Sequence, residues 1–124
     1  MKPIRVLLAD DEDELVAALV ERLELRGITA DGVTTCEAAF ALLEENAYDV
    51  AVLDVKLPRM SGLELKKRIA RAAPHMKFIF ITGHGSYESF QEGTAEAGPS
   101  YYLLKPVDIE LLVAKIREIT ATGP

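Results

Sequence analysis

At 124 residues, 49% hydrophobic and with a formal net charge of −6, the chain has the size of one domain able to bury a core without disulfides or a structural metal. Cys36 is the single cysteine, which excludes an intramolecular disulfide and a cysteine-based zinc site, and His75 and His84 lack metal-ligand spacing. The acidic balance speaks against direct nucleic-acid binding, the apolar runs fall far short of the ~20 residues of a membrane span, and Met1-Lys2-Pro3-Ile4-Arg5 has no signal-peptide core, so one cytoplasmic domain over residues 1–124, with no effector domain visible, is expected.

Ile4 to Asp10 is an unbroken apolar run, as in a strand buried on both faces. Asp13 to Arg26 places Leu15, Val16, Leu19 and Leu23 at helical spacing, and Gly27 is positioned to stop the helix. Ile28 to Val33, interrupted by Asp31 and Gly32, predicts a weaker strand at the sheet edge. Thr34, three residues ahead of Glu37, reads as a capping box opening a helix over Thr35 to Glu45, on which Cys36 is a small buried hydrophobe. Asp49 to Asp54 is the third strand. A loop through Lys56-Leu57-Pro58 and Met60-Ser61-Gly62 then leads to a helix from Leu63 to Ala73, ended by Pro74, whose Lys66, Lys67, Arg68 and Arg71 read as a solvated face.

Lys77 to Thr82 and Ser100 to Leu104 are the fourth and fifth strands. Between them, Ser86 to Ala97 predicts a marginal fourth helix, because Phe90 and Ala97 are weak anchors and Gly93 costs ~1 kcal/mol against Ala. Such a helix is either held by tertiary contacts or kept loose in order to move. A fifth helix starts at Asp108 as N-cap and carries Ile109, Leu112, Val113 and Ile116 on one face, and residues 122–124 fray. Strict alternation of strand and helix implies an α/β fold, a single doubly wound parallel sheet of five strands with helices on both faces.

Four of the strands end in polar residues: Asp10-Asp11, Asp54, Thr82 and Lys105. Ends of parallel strands share one edge of the sheet, the edge where ligands bind in open α/β folds. Four consecutive acids, Asp10, Asp11, Glu12 and Asp13, would repel one another unless a cation sat among them. Oxygen donors of this kind suit Mg²⁺. Glu12 and Asp13 are expected to cap the first helix and complement its dipole, which leaves Asp10, Asp11 and Asp54 for metal. Asp54 is suited to attack phosphorus, with the Thr82 hydroxyl and the Lys105 ammonium on phosphoryl oxygens. A cis Lys105-Pro106 bond would be one way to aim that ammonium inward.

The motifs Leu8-Ala9-Asp10-Asp11-Glu12, Leu53-Asp54-Val55-Lys56-Leu57-Pro58 with Met60-Ser61-Gly62, Ile81-Thr82-Gly83-His84-Gly85 and Tyr102-Leu103-Leu104-Lys105-Pro106, in that order and spacing, resemble a response-regulator receiver domain. This is the phosphoacceptor module of two-component signalling, and the resemblance covers essentially the whole chain. It implies a flavodoxin-like strand order 2-1-3-4-5 and Asp54 as the phosphorylated residue. It also implies Mg²⁺ held by Asp11, Asp54 and the Lys56 backbone carbonyl, with Asp10 acting through a metal-bound water. Thr82 and Lys105 would bind the phosphoryl group, Tyr102 would be the switch aromatic, and Lys56 and His84 would flank the route of attacking water and tune the lifetime of the acyl phosphate.

By the same resemblance the phosphoryl donor is a histidine kinase or a histidine phosphotransferase. The output is a reshaped surface of fourth helix, fifth strand and fifth helix, read by a downstream effector protein or domain, and a phosphorylation-dependent homodimer is compatible with it. Such a domain is no enzyme beyond its own phosphotransfer and dephosphorylation. Gly93 and Gly98-Pro99 depart from the family pattern and bear on the output face. Among rivals, a haloacid-dehalogenase-like phosphatase would carry its nucleophile on the first strand and its acidic pair last, the reverse of the order here. In a flavodoxin, four acids after the first strand would repel the cofactor phosphate. A receiver serving only as a constitutive interaction module would have no need of the complete set of phosphorylation residues.

Overall fold

The computed structural model describes residues 3–83 and 101–121. The predicted fourth helix, His84, Gly93 and Gly98-Pro99 lie outside them.

Five parallel strands, β1 (Arg5–Ala9), β2 (Thr29–Val33), β3 (Val50–Asp54), β4 (Lys77–Thr82) and β5 (Tyr101–Leu104), form one sheet in the order β2-β1-β3-β4-β5. Four helices are described: α1 (Asp13–Glu24), α2 (Cys36–Glu45), α3 (Gly62–Ala72) and α4 (Ile109–Ala121). The expected α/β architecture and strand order are borne out.

The period-two alternation of side chains along a strand divides the apolar runs between two cores. Val6 and Leu8 of β1, Val52 of β3 and Ile79 and Ile81 of β4 pack with α1 and α4, where Leu19, Leu23, Leu112 and Ile116 are buried. Leu7, Ala9, Ala51, Leu53 and Phe80 point to the opposite face, beneath α2 and α3 with Ala39, Leu65 and Ile69. Both faces of β3 are covered, so all five of its residues are buried, Asp54 included. Ending an apolar strand in a buried aspartate costs stability unless the carboxylate is satisfied. The residues around it do this.

Local chemistry closes the helix ends. After α1, Gly27 adopts φ +79; its N–H bonds to Glu24 and that of Ile28 to Leu23, the paired bonds that close a helix through a left-handed residue. The cap of α2 is Thr35, whose hydroxyl accepts from Ala38 N at 3.1 Å, and not Thr34. The cap lies one residue later than the Thr34–Glu37 pairing implied, and the residue after it, Cys36, is buried. Ser61 caps α3 through Glu64 N, and Asp108 caps α4 by accepting from Glu110 N and Leu111 N. Glu12 occupies the N-cap position of α1 but makes no side-chain cap bond. Asp13 and Glu14 supply the negative charge in its first turn.

Candidate phosphoryl-transfer site

The register brings the strand-end residues to one edge. Asp54 pairs with Ile81 across β3 and β4, and Thr82 with Leu104 across β4 and β5. Lys105 then follows immediately, its N–H donating to the Thr82 carbonyl at 2.9 Å. The Lys105–Pro106 peptide is cis.

Asp10, Asp11 and Asp54 each turn a carboxylate oxygen into a common space, all within 4.8 Å of one another. Asp10 is fully buried and Asp54 is 4% exposed, whereas Asp11 is exposed. Backbone amides hold the two buried carboxylates: Glu12 N donates to Asp10 Oδ1 at 2.9 Å and Lys56 N to Asp54 Oδ1 at 3.1 Å. The remaining oxygens meet Lys105, whose Nζ stands 3.0 Å from Asp10 Oδ2 and 3.3 Å from Asp54 Oδ2. Asp10 Oδ2 accepts no hydrogen bond among the described residues, so its contact with the ammonium is an ion pair alone.

Burial pushes both carboxyls above the ordinary carboxylate range; the backbone amides and Lys105 pull the other way without overcoming it, and for Asp54 the neighbouring Asp10 charge adds to the rise. Lys105 is lowered by its own burial, but the carboxylates of Asp10, Glu12 and Asp54 outweigh that and raise it. The site is therefore a charge-concentrated pocket in which one ammonium serves two buried acids. The buried Asp10 Oδ2 without a hydrogen bond and the three converging carboxylates fit a hard divalent cation such as Mg²⁺.

Sequence reasoning missed two contributors. Glu12, expected as a helix cap, instead reaches Lys105 Nζ at 3.1 Å, since that ammonium is a stronger attraction than the first-turn amides. Gly62 is buried directly under the site. A Cβ there would overlap the Asp54 carbonyl oxygen and lie 3.0 Å from its carbon, so α3 starts against the Asp54 backbone only because this residue has no side chain. The signal was present in Met60-Ser61-Gly62, but its reason is a contact across the loop. The loop also holds Arg59 at φ 69, an uncommon conformation for a residue with a Cβ.

The remaining site residues are placed as follows. Thr82 is fully buried at the end of β4, its hydroxyl donating to the Gly83 carbonyl at 3.3 Å. Lys56 has an exposed side chain and contributes its backbone N–H to Asp54. Tyr102 lies on β5, 41% exposed. Cys36 is buried as expected, its thiol raised by desolvation and directed at the carbonyls of Pro58 and Met60. Of the basic run on α3, Lys67, Arg68 and Arg71 are exposed, while Lys66 is half-buried with its ammonium over the Phe78 ring. No helix among the described residues is long and apolar enough to cross a membrane.

The response regulator receiver domain family matches residues 6–117 of the chain. The transcriptional regulatory protein TcrA of Mycobacterium tuberculosis is 31% identical over 121 residues, covering 98% of this chain and 47% of TcrA. RprY of Bacteroides fragilis, also a transcriptional regulatory protein, is 32% identical over 116 residues, covering 94% of this chain and 49% of RprY. The chain thus spans about half the length of these relatives. Among solved structures, a CheY-like response regulator receiver domain protein from Methanospirillum hungatei JF-1 superposes with a TM-score of 0.87 at 31% identity, covering 97% of this chain and 95% of that one.

Proposed function

The chain belongs to the response regulator receiver domain family, and we propose that it is a phosphorylation-activated signalling switch that accepts a phosphoryl group on Asp54 from the phosphohistidine of a histidine kinase or histidine phosphotransferase. The observation that carries this reading is the meeting of the Asp10, Asp11 and Asp54 carboxylates with the Lys105 ammonium at the ends of β1, β3 and β5.

In the transfer, a carboxylate oxygen of Asp54 forms a bond to phosphorus as the phosphorus–nitrogen bond of the donor breaks. The electron pair stays on the departing imidazole nitrogen. Asp54 is suited to this because its Oδ1 is pinned by Lys56 N, which fixes the attack direction. Asp10, Asp11 and Asp54 would hold Mg²⁺, which supplies charge neutralisation for the oxygens of the transferring group. Lys105, already against Asp54, pairs with one phosphoryl oxygen, and the Thr82 hydroxyl turns from its weak bond to Gly83 toward another. Lys56 and His84 tune how long the acyl phosphate survives. Movement of Thr82 gives Tyr102 space to turn inward, which reshapes the β5–α4 face for a downstream effector protein or domain. The transcriptional regulatory relatives make gene control the leading class of output. The setting proposed for this switch is the cytoplasm.

Incubation with Mg²⁺ and a small-molecule phosphodonor should give an acid-stable, base-labile acyl phosphate, absent from Asp54→Asn. Equal labelling of both proteins would refute Asp54 as the acceptor. No labelling of the wild type by any donor, small molecule or phosphohistidine, would favour a constitutive interaction module.

A further inference from the structure

The flank of α1 that faces β2 and α2 carries a groove of about 920 Å³ that includes none of Asp10, Asp11, Asp54 and Lys105. Its floor is apolar, formed by Val16, Ala17 and Val20 of α1, Val33 of β2 and Ala38 of α2. Gly32 also lines it, and a Cβ there would overlap Val16 Cγ1 and lie 2.9 Å from Val20 Cγ2, so the absence of a side chain is what lets α1 settle against the edge strand. Carboxylates stand along the same groove. Asp13, Glu21 and Glu24 are all exposed, and no lysine or arginine lines it among the described residues. At its far end Leu25 is 76% exposed, a large apolar side chain standing in water.

The charge pattern selects the occupant. An acidic or uncharged segment laid on this floor would desolvate three carboxylates without compensation, whereas a basic one would pair them. From Asp13 to Leu25 the groove follows α1 for about 18 Å at ~1.5 Å per residue, the length of roughly three helical turns. Only Gly32 and Val33 of β2 reach it, too few for a strand added to the sheet edge. A second copy of this chain fits poorly, because its basic helix α3 exposes Lys67, Arg68 and Arg71 while its large apolar residues Leu65 and Ile69 are already buried. We infer that the α1–β2–α2 groove docks a basic amphipathic helix of a partner protein. Its apolar residues at i, i+3, i+4 and i+7 rest on Val16, Ala17 and Val20, and its lysines or arginines flank them opposite Asp13, Glu21 and Glu24.

The test uses the full chain and fluorescently labelled synthetic peptides of about four helical turns. One has a Leu/Ala face flanked by lysines, a second has glutamates in place of the lysines, and a third has the lysine composition scrambled to destroy the apolar face. Anisotropy should show the first binding at least about tenfold more tightly than either other, and Ala17→Arg or Glu24→Lys should each weaken it by about tenfold or more. Both substitutions are at exposed helical positions, and unchanged thermal midpoints would certify their folding. Amide shifts on binding should concentrate in residues 13–25 and 32–38. Equal binding of the scrambled peptide would mean diffuse charge attraction, and binding indifferent to Ala17→Arg or shifts centred elsewhere would place the contact off the groove; either overturns the inference. Self-association of the free chain that Ala17→Arg abolishes would assign the groove to a second copy and overturn it equally.

Discussion

Replacing Lys105 with Met should destabilise the protein in the absence of divalent metal and cost much less in its presence. The ammonium sits 3.0 Å from Asp10 Oδ2 and 3.3 Å from Asp54 Oδ2, and at an effective dielectric of ~20 each contact corresponds to a gross attraction of about 5 kcal/mol. Most of that is cancelled by the desolvation of the charges, and removing one partner of a buried pair typically costs ~3–5 kcal/mol net. The Lys105 side chain is 21% exposed, which moves the expectation to the lower end, about 2–3 kcal/mol. For a domain of this size that is a fall of roughly 6–15 °C in Tm. The long apolar stem is largely retained by Met, so lost packing is a minor part. With Mg²⁺ saturating, a cation again stands among Asp10, Asp11 and Asp54, and the deficit should shrink to about 1 kcal/mol or less. In chelator the deficit should also grow with pH. Asp10 and Asp54 already titrate above their ordinary value of 3.8, and losing Lys105 raises them further. Stability present at low pH is then lost as pH rises through the raised folded-state values. Thermal unfolding followed by circular dichroism, in EDTA and in Mg²⁺, measures all of this. A deficit of the same size in both conditions, or a variant more stable than wild type in EDTA, would refute the idea that Lys105 is the cation on which the buried acids depend.

Mg²⁺ titration of Asp11→Ala should show a much larger loss of affinity than Glu12→Ala, since Asp11 turns into the shared space while Glu12 engages Lys105; the opposite ranking would place the metal elsewhere. Gly62→Ala should cost about 1–3 kcal/mol in urea unfolding, as expected of overpacking against the Asp54 backbone, and a stabilised variant would contradict the close approach. Thr35→Ala should cost about 1 kcal/mol and Thr34→Ala far less, and the reverse would restore Thr34 as the cap of α2. Thr82→Ala should remain phosphorylatable on Asp54 yet lose most of the change in amide hydrogen exchange across Tyr101–Leu104 that beryllofluoride produces in wild type; a full change in the variant would route the output through another surface.

Strand identity and strand ends were legible in the residues themselves. A strand covered on both faces must be apolar at every position, so Val6 to Ala9 and Val50 to Leu53 announce themselves, and the first polar residue after each run marks where the chain leaves the core. The same residues, Asp10, Asp54, Thr82 and Lys105, are the candidate site, because only the strand ends are at once held rigidly and open to a ligand. The strand order came from the resemblance of the motifs, since the runs alone do not say which is central.

Tertiary structure decided what depended on residues distant in the chain. Glu12 has the composition and position of a helix cap, and only the arrival of Lys105, 93 residues later, draws its carboxylate away. Thr34 and Thr35 are chemically equivalent caps, and only the folded backbone shows that Thr35 takes the role, accepting from Ala38 N. Gly62 reads as loop punctuation until α3 is seen to begin against the Asp54 carbonyl. Asp13, Glu21 and Glu24 become one wall of a groove only because Gly32 lets α1 settle against the edge strand. Local propensity and burial pattern act over a few residues and are written into the sequence. The partner a side chain finds is set by a competition among charges and contacts that exists only once the strands are paired.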